Sequence, residues 1–226
     1  MFNKRVYSSK LSFTNKKIGW YAMLNEKDLN FLLYEVPSGI TYTDILEDLD
    51  IQDIPQNRFN ILEDIIQNRE LYKPYISYRA AILLCSWGNK NGLRYLREII
   101  NTGVLGYEQN RIYGYDKSCE CILNALISYW ALLSTIEPLN NILIRRDIYP
   151  IIKKIIYKSE RGFFSVSRVF FLINNGCIEY IPLMKEYLIR IEKDKERNRY
   201  KIEDAKLFFK ENDPDFLKWE IFQEAC

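Results

Sequence analysis

The sequence predicts an all-α chain in which helix pairs stack into a short array, entered through an irregular N-terminal segment and interrupted by a loop near residues 103–116. Two observations carry that expectation: apolar residues recur at helical spacing from about residue 58 onward, and four segments align with one another. Composition is the third, because 226 residues that are 48% hydrophobic and 15% aromatic can bury a substantial core, which a disordered chain cannot.

Residues 1–25 mix basic and aromatic side chains without helical period and read as extended or irregular. Lys4, Arg5, Lys10, Lys16 and Lys17 meet no acid in residues 1–20, a local charge of +5. No apolar stretch or small-residue cleavage site follows the basic start, so a signal peptide is not expected and the cytoplasm is the expected location. No run approaches the roughly 18 apolar residues of a membrane span, and no membrane partner is expected. Residues 26–36 and 41–49 read as two short helices, the second started by Thr41 or Thr43. Residues 1–57 are thus expected to form a segment packed on a stack that runs over residues 58–226.

Within the stack, Ala80, Leu83, Leu84 and Trp87 share a helix face, as do Cys119, Ile122, Leu123, Leu126, Trp130 and Leu133. Ile148, Ile151, Ile152, Ile155 and Ile156 form a third stripe; Ile181, Met184, Leu188 and Ile191 form a fourth. Gly88 and Gly92 bracket a short turn at Asn89-Lys90-Asn91, and Asn174-Asn175-Gly176 makes a similar break. The aligned segments are Phe59–Ile66, Leu93–Ile100, Tyr149–Ile156 and Ile181–Leu188, each an apolar residue, two charged residues, then two apolar or aromatic ones. With Leu62, Leu96, Ile152 and Met184 as equivalents the spacings are 34, 56 and 32, and an inserted loop at 103–116 accounts for the long one. Arg190–Lys206 is charge-dense and reads as a solvated helix; Asp213-Pro214 is expected to begin a last short helix whose Phe216, Trp219 and Phe222 cap the stack.

The stretch from Tyr78-Arg-Ala-Ala through Trp87-Gly-Asn-Lys-Asn-Gly to Leu93-Arg-Tyr-Leu-Arg-Glu-Ile-Ile100 resembles a HEAT repeat, with an Arg-x-Ala-type start, a Gly turn and a Leu-rich second helix. Pro150 and Pro182 are placed near the starts of second helices, as that family often shows. The resemblance covers about residues 58–192 and implies a short right-handed α-solenoid; it speaks to fold and not to activity.

Chemistry is narrowed mainly by what is missing. The chain has no histidine, which removes the usual general base, the Ser-His and Cys-His pairs and the commonest zinc ligand. Phosphate-cradling glycine motifs and the GxSxG elbow are absent too. Cys85, Cys119, Cys121, Cys177 and Cys226 are odd in number and scattered, and read as reduced thiols, three of them within apolar helical patterns. No catalytic residue, cofactor or metal site is expected.

Charge is instead divided along the chain. Residues 35–64 carry eight acids (Glu35, Asp44, Glu47, Asp48, Asp50, Asp53, Glu63, Asp64) against Arg58, while residues 145–161 carry six bases against two acids. The whole has a net charge of +2 and a pI near 8.1, short of the pI above about 9 typical of nucleic-acid-binding domains. Asp44, Glu47 and Asp48 would share a helix face, and with Asp50 and Asp53 they form either a solvated acidic surface or one that steers a basic partner. In the 103–116 loop Tyr107, Arg111, Tyr113 and Tyr115 alternate with glycines; they either fold back on the stack or serve as interface anchors. Arg145, Arg146, Lys153, Lys154, Lys158 and Arg161 could line a phosphate-binding groove or form the outer face of a helix.

These features favour a non-catalytic protein-binding module whose partner is a protein with a basic surface. The Ile-, Asn- and Lys-rich composition points to an AT-rich bacterial genome, where small HEAT-like immunity proteins occur. With the cofactor-free repeat resemblance, the acidic patch and the Tyr/Arg loop, the expectation is an immunity or antitoxin protein that neutralises a basic toxin domain. Two alternatives use the same surface: a regulatory adaptor, or a HEAT-like DNA-binding protein resembling the alkylpurine DNA glycosylases. The last would need Trp87, Trp130, Arg146 and Asp147 around a modified nucleotide, and the charge balance argues against it.

Overall fold

A computed structural model describes residues 24–103, 109–110 and 115–218, with the backbone alone for 109–110 and 115–116. Apart from one two-residue ladder, the regular structure among these residues is helical: α1 (Glu26–Tyr34), α2 (Gln56–Gln67), α3 (Pro74–Ser86), α4 (Lys90–Thr102), α5 (Ser118–Ile136), α6 (Asn141–Ser159), α7 (Arg168–Asn174), α8 (Ile181–Ile191) and α9 (Lys195–Asn212). Short 3-10 turns join several of them. Gln109–Asn110 (β1) and Tyr115–Asp116 (β2) make a two-residue antiparallel ladder, pairing Gln109 with Asp116 and Asn110 with Tyr115.

The helices alternate between two layers. α1 touches α3, α3 touches α5, and α5 touches α7; opposite them α2 touches α4, α4 touches α6, and α6 touches α8. α3 packs on α4 and α5 on α6 across the layers, and α9 covers α8. The four aligned segments fall in α2, α4, α6 and α8, the even layer, where each buries its apolar stripe: Leu62, Leu96, Ile152 and Met184 are all fully buried. One core runs from Leu33 to Phe216.

The glycine turn between α3 and α4 is dictated by two glycines. Gly88 has φ +77°, where a side chain is strained, and lets the chain reverse. Gly92, in the first turn of α4, lies against α3 so closely that a Cβ would meet the Cys85 backbone nitrogen at 2.6 Å and the Ala81 carbonyl oxygen at 2.9 Å. Asn89 caps α4, its Oδ1 accepting from the N–H groups of Asn91 (2.7 Å) and Gly92 (3.1 Å). Gly103, at φ +73°, ends α4.

Several expectations are corrected. Residues 41–49 do not form a helix; only 3-10 turns at Leu46–Asp48 and Ile51–Asp53 are present. In an α-helix the Leu46 carbonyl would accept from the Asp50 N–H. Instead it accepts from Trp87 Nε1 at 3.1 Å, and the Asp50 N–H donates to the Tyr42 hydroxyl at 2.9 Å. Asp44, Glu47 and Asp48 therefore share no helix face. Pro150 lies well inside α6, exposed on its outer side, whereas Pro182 does sit in the first turn of α8. The stretch Arg190–Lys206 is not one solvated helix: a 3-10 turn at Glu192–Asp194 breaks it, and Ile202 and Ala205 are buried. Phe216 is buried in a 3-10 turn as a cap, while Trp219 and Phe222 lie outside the described residues.

One helix among the described residues, α5, is long and apolar enough by length and composition to cross a membrane, contrary to the expectation that no run approaches that length. Its mean hydropathy of 1.4 reflects a position between α3 and α6, against which Ile122, Leu126 and Tyr129 are buried.

Candidate functional site

The acidic segment is held on α3 by side-chain bonds. Arg79 forks onto both oxygens of Glu47, the Nη2–Oε2 bond being 3.1 Å, and its Nε donates to the Leu33 carbonyl at 3.1 Å. Together with the Trp87–Leu46 bond, this lays residues 45–49 across the outer side of α3, where Leu46 and Leu49 are buried. The cover ends there. The neighbouring helix α5 keeps its outer side open at Cys121, Asn124 and Ser128, small or polar residues at the spacing of one helix face.

The result is a groove of about 480 Å3 floored by that face of α5. Ile45, Glu47 and Asp48 form one rim, and Ser165, Ser167 and Arg168, which lead into α7, form the other. Ile82 and Ser86 of α3 reach it from below. The far rim is tied to the floor, since Glu120 Oε1 accepts the Ser165 N–H at 2.8 Å. Its turn is fixed locally by the Ser165 hydroxyl, which donates to Ser167 Oγ (3.0 Å) and accepts from the Ser167 N–H (3.1 Å).

Two polar groups in this groove have no protein partner among the described residues, one buried and one exposed. Ser86 is 4% exposed, yet its Oγ has no hydrogen-bond partner. Buried hydroxyls are normally bonded, and leaving one unpaired costs on the order of 1–3 kcal/mol. The exposed carboxylate of Asp48 makes no hydrogen bond or ion pair, although Arg168 lines the same groove. Arg168 instead places its guanidinium over the Phe171 ring, 5.9 Å from the centroid. Three carboxylates (Glu47, Asp48, Glu120) thus face one cation, and Glu47 is already engaged by Arg79.

Of the residues singled out in the sequence, Glu47 and Asp48 line the groove and Asp44 is exposed close by in sequence. Asp50 and Asp53 do not line it: Asp50 bonds Tyr42 through its N–H, and Asp53 Oδ2 accepts the Tyr42 hydroxyl at 2.9 Å. Tyr107, Arg111 and Tyr113 lie outside the described residues; Tyr115 is in β2, and its side chain is likewise outside them. The basic residues of α6 do not converge on one groove. Arg145 forks onto Glu179, Lys154 Nζ donates to Asn101 Oδ1 at 2.6 Å, and Lys153 lies over Tyr157. Trp87 is 2% exposed and Trp130 7%, which leaves neither ring open for a nucleotide to stack on. Ser86, Glu120, Asn124, Ser128, Ser165, Ser167 and Arg168 carried no expectation of a site, and Cys121 only that of a reduced thiol. The available signal was the polar 121/124/128 face on an otherwise apolar helix, opposite the stripe that was read.

Cys85, Cys119 and Cys177 are buried; Cys121 is the partly exposed cysteine among the described residues. Burial pushes the thiol of Cys177 up to about 11, and that of Cys85 further up. Neither is a nucleophile at neutral pH. No group of three metal-ligating side chains comes together among the described residues. No protein-family model, curated protein or solved structure matches the chain.

Proposed function

We propose that the chain is a non-catalytic, HEAT-like stack of helix pairs that binds a protein with a basic surface, in the manner of an immunity or antitoxin protein masking a toxin. The alternation of helices between two layers supports the α-solenoid reading, as does the placement of the four aligned segments in α2, α4, α6 and α8. The observation that carries the binding reading is the groove over α5, whose acidic rim holds a carboxylate, Asp48, with no partner among the described residues. A rigidly displayed negative rim accelerates encounter with a basic surface and disfavours acidic ones. The absence of histidine agrees with a role by occlusion rather than by catalysis.

The test is co-expression with the polypeptide encoded beside this chain in its native genome. That polypeptide alone should arrest growth; with this chain, growth should recover and the two should co-purify as a complex of fixed stoichiometry. A neighbour that is harmless, or a toxic one that is neither bound nor neutralised, defeats the toxin-masking reading.

A further inference from the structure

We infer that the groove over α5 is an arginine pocket: it receives the guanidinium of one arginine side chain presented by the protein partner. This inference rests on the protein-binding reading above and specifies its chemistry. Two independent observations point to such an occupant. The Asp48 carboxylate on the rim is unpaired, and the Ser86 hydroxyl, 4% exposed, lines the groove with its oxygen unpartnered. One asks for a cation and the other for a hydrogen-bond partner. An arginine supplies both from one side chain, because its planar fork carries five N–H donors.

The competing occupants fit less well. A lysine ammonium is a compact, strongly hydrated charge at the end of a flexible stem, and it gives up more water on entering a groove with apolar walls. Those walls, Ile45 and Ile82, suit the flat face and methylene stem of an arginine. An anion would meet one cation, Arg168, among three carboxylates, Glu47, Asp48 and Glu120, a charge balance that disfavours it. Arg168 does not fill the pocket itself, since its guanidinium rests over Phe171. It also limits the occupant: a run of several basic residues would set its second charge against Arg168, so an arginine flanked by neutral residues is favoured over a polybasic tract.

Cys121 on the groove floor provides a local readout, because Cys85, Cys119 and Cys177 are buried. In the full chain carrying Cys226→Ser, alkylation of Cys121 is followed by peptide mapping. The probes are short capped peptides, Gly-Gly-Arg-Gly-Gly and its Lys and Glu counterparts. The arginine peptide should slow alkylation with a saturable dependence on its concentration, the lysine peptide should act only at much higher concentration, and the glutamate peptide should have no effect. Asp48→Asn, an exposed and conservative change, should weaken the arginine peptide roughly tenfold or more, the loss typical of a charge-assisted hydrogen bond. Ser86→Ala should weaken it by a smaller factor while leaving the melting temperature unchanged or higher.

Equal protection by arginine and lysine peptides, or an Asp48→Asn chain that binds as before, overturns the pocket. So does a native partner that forms a stable complex while Cys121 stays as reactive as in the free chain. That last result leaves the protein-binding reading standing and moves the contact elsewhere. Failure of every partner to co-purify, with the peptide still protecting Cys121, has the opposite meaning.

Discussion

Glu47 is committed to the fold, and Asp48 beside it is not. The Arg79–Glu47 fork is well shielded, with side-chain exposures of 14% and 25%, so its charge-assisted bonds are worth more than those of an exposed pair. Replacing Glu47 with Gln leaves the Arg79 guanidinium half-buried without its counter-charge. Unfolding free energy, measured by urea titration, should fall by about 1–3 kcal/mol. Asp48→Asn should leave that free energy within about 0.5 kcal/mol, as surface changes usually do. Equal losses for the two would mean that both carboxylates are structural.

Buried ionisable side chains also set the alkaline limit. Burial raises the phenols of Tyr129 and Tyr187 to about 12 and that of Tyr180 further, and it raises the thiols of Cys177 and Cys85. For each of these the folded chain keeps a proton that the unfolded chain releases near pH 9 to 10, so stability falls as pH rises through that window. Lys201 acts the other way. Burial first, then the charge of Arg197, lowers it from 10.5 to about 8, so its contribution rises with pH between those values. That gain is limited, because the ammonium donates to the carbonyls of Ser159 and Gly162 at 2.6 Å each, and those bonds favour the charged form. Five groups oppose one. The melting temperature should drop between pH 9 and 11 by on the order of 10 °C, and tyrosinate absorbance from the buried phenols should appear only with the unfolding transition.

At the scale of single elements, the contact between α3 and α4 depends on the side chain that Gly92 lacks. Alanine there would gain up to about 1 kcal/mol in helix propensity, yet its Cβ would fall 2.6 Å from a backbone nitrogen that cannot rotate away. Overpacking of this kind costs about 1–3 kcal/mol, so Gly92→Ala should lower the urea midpoint despite the better helix former. The even-layer helices were legible because each buries one stripe and leaves the other to solvent; Phe59–Ile66 and Leu93–Ile100 display that contrast directly. The course of α3 was harder to read from periodicity. It is buried on nearly every side, with Arg79 alone not fully buried between Ile76 and Ser86, and an apolar helix has no face to announce. Residues 41–49 misled for a different reason. Their local pattern is helical, but Trp87 and Tyr42 take the two backbone groups that a helix would have joined. Of the groove, only the floor was legible, as the polar 121/124/128 face of α5; its rims were not, since they arise where the cover over α3 stops short of α5, and no local stretch of sequence encodes that edge.

For the whole molecule, layered contacts between neighbours give stability a gradient along the chain. α3 is flanked by α1, α2, α4 and α5, whereas α9 is held by α8 and an aromatic cluster in which Phe170 stacks on Phe208 at 4.2 Å. Native-state hydrogen exchange should therefore be slowest in α3 and the buried half of α5, governed there by global unfolding, and faster in α1 and α9 through local opening. Protection in α9 equal to that in α3 would indicate a single cooperative unit instead. The hydrogen bond from Trp87 to the Leu46 carbonyl adds a matter of timing. Residues 45–49 emerge from the ribosome before Trp87 and Arg79 exist to hold them, so they must wait, unshaped, for a helix synthesised later. The acidic rim is thus made before the helix that shapes it, and a nascent or partly unfolded chain would offer its carboxylates without their arrangement.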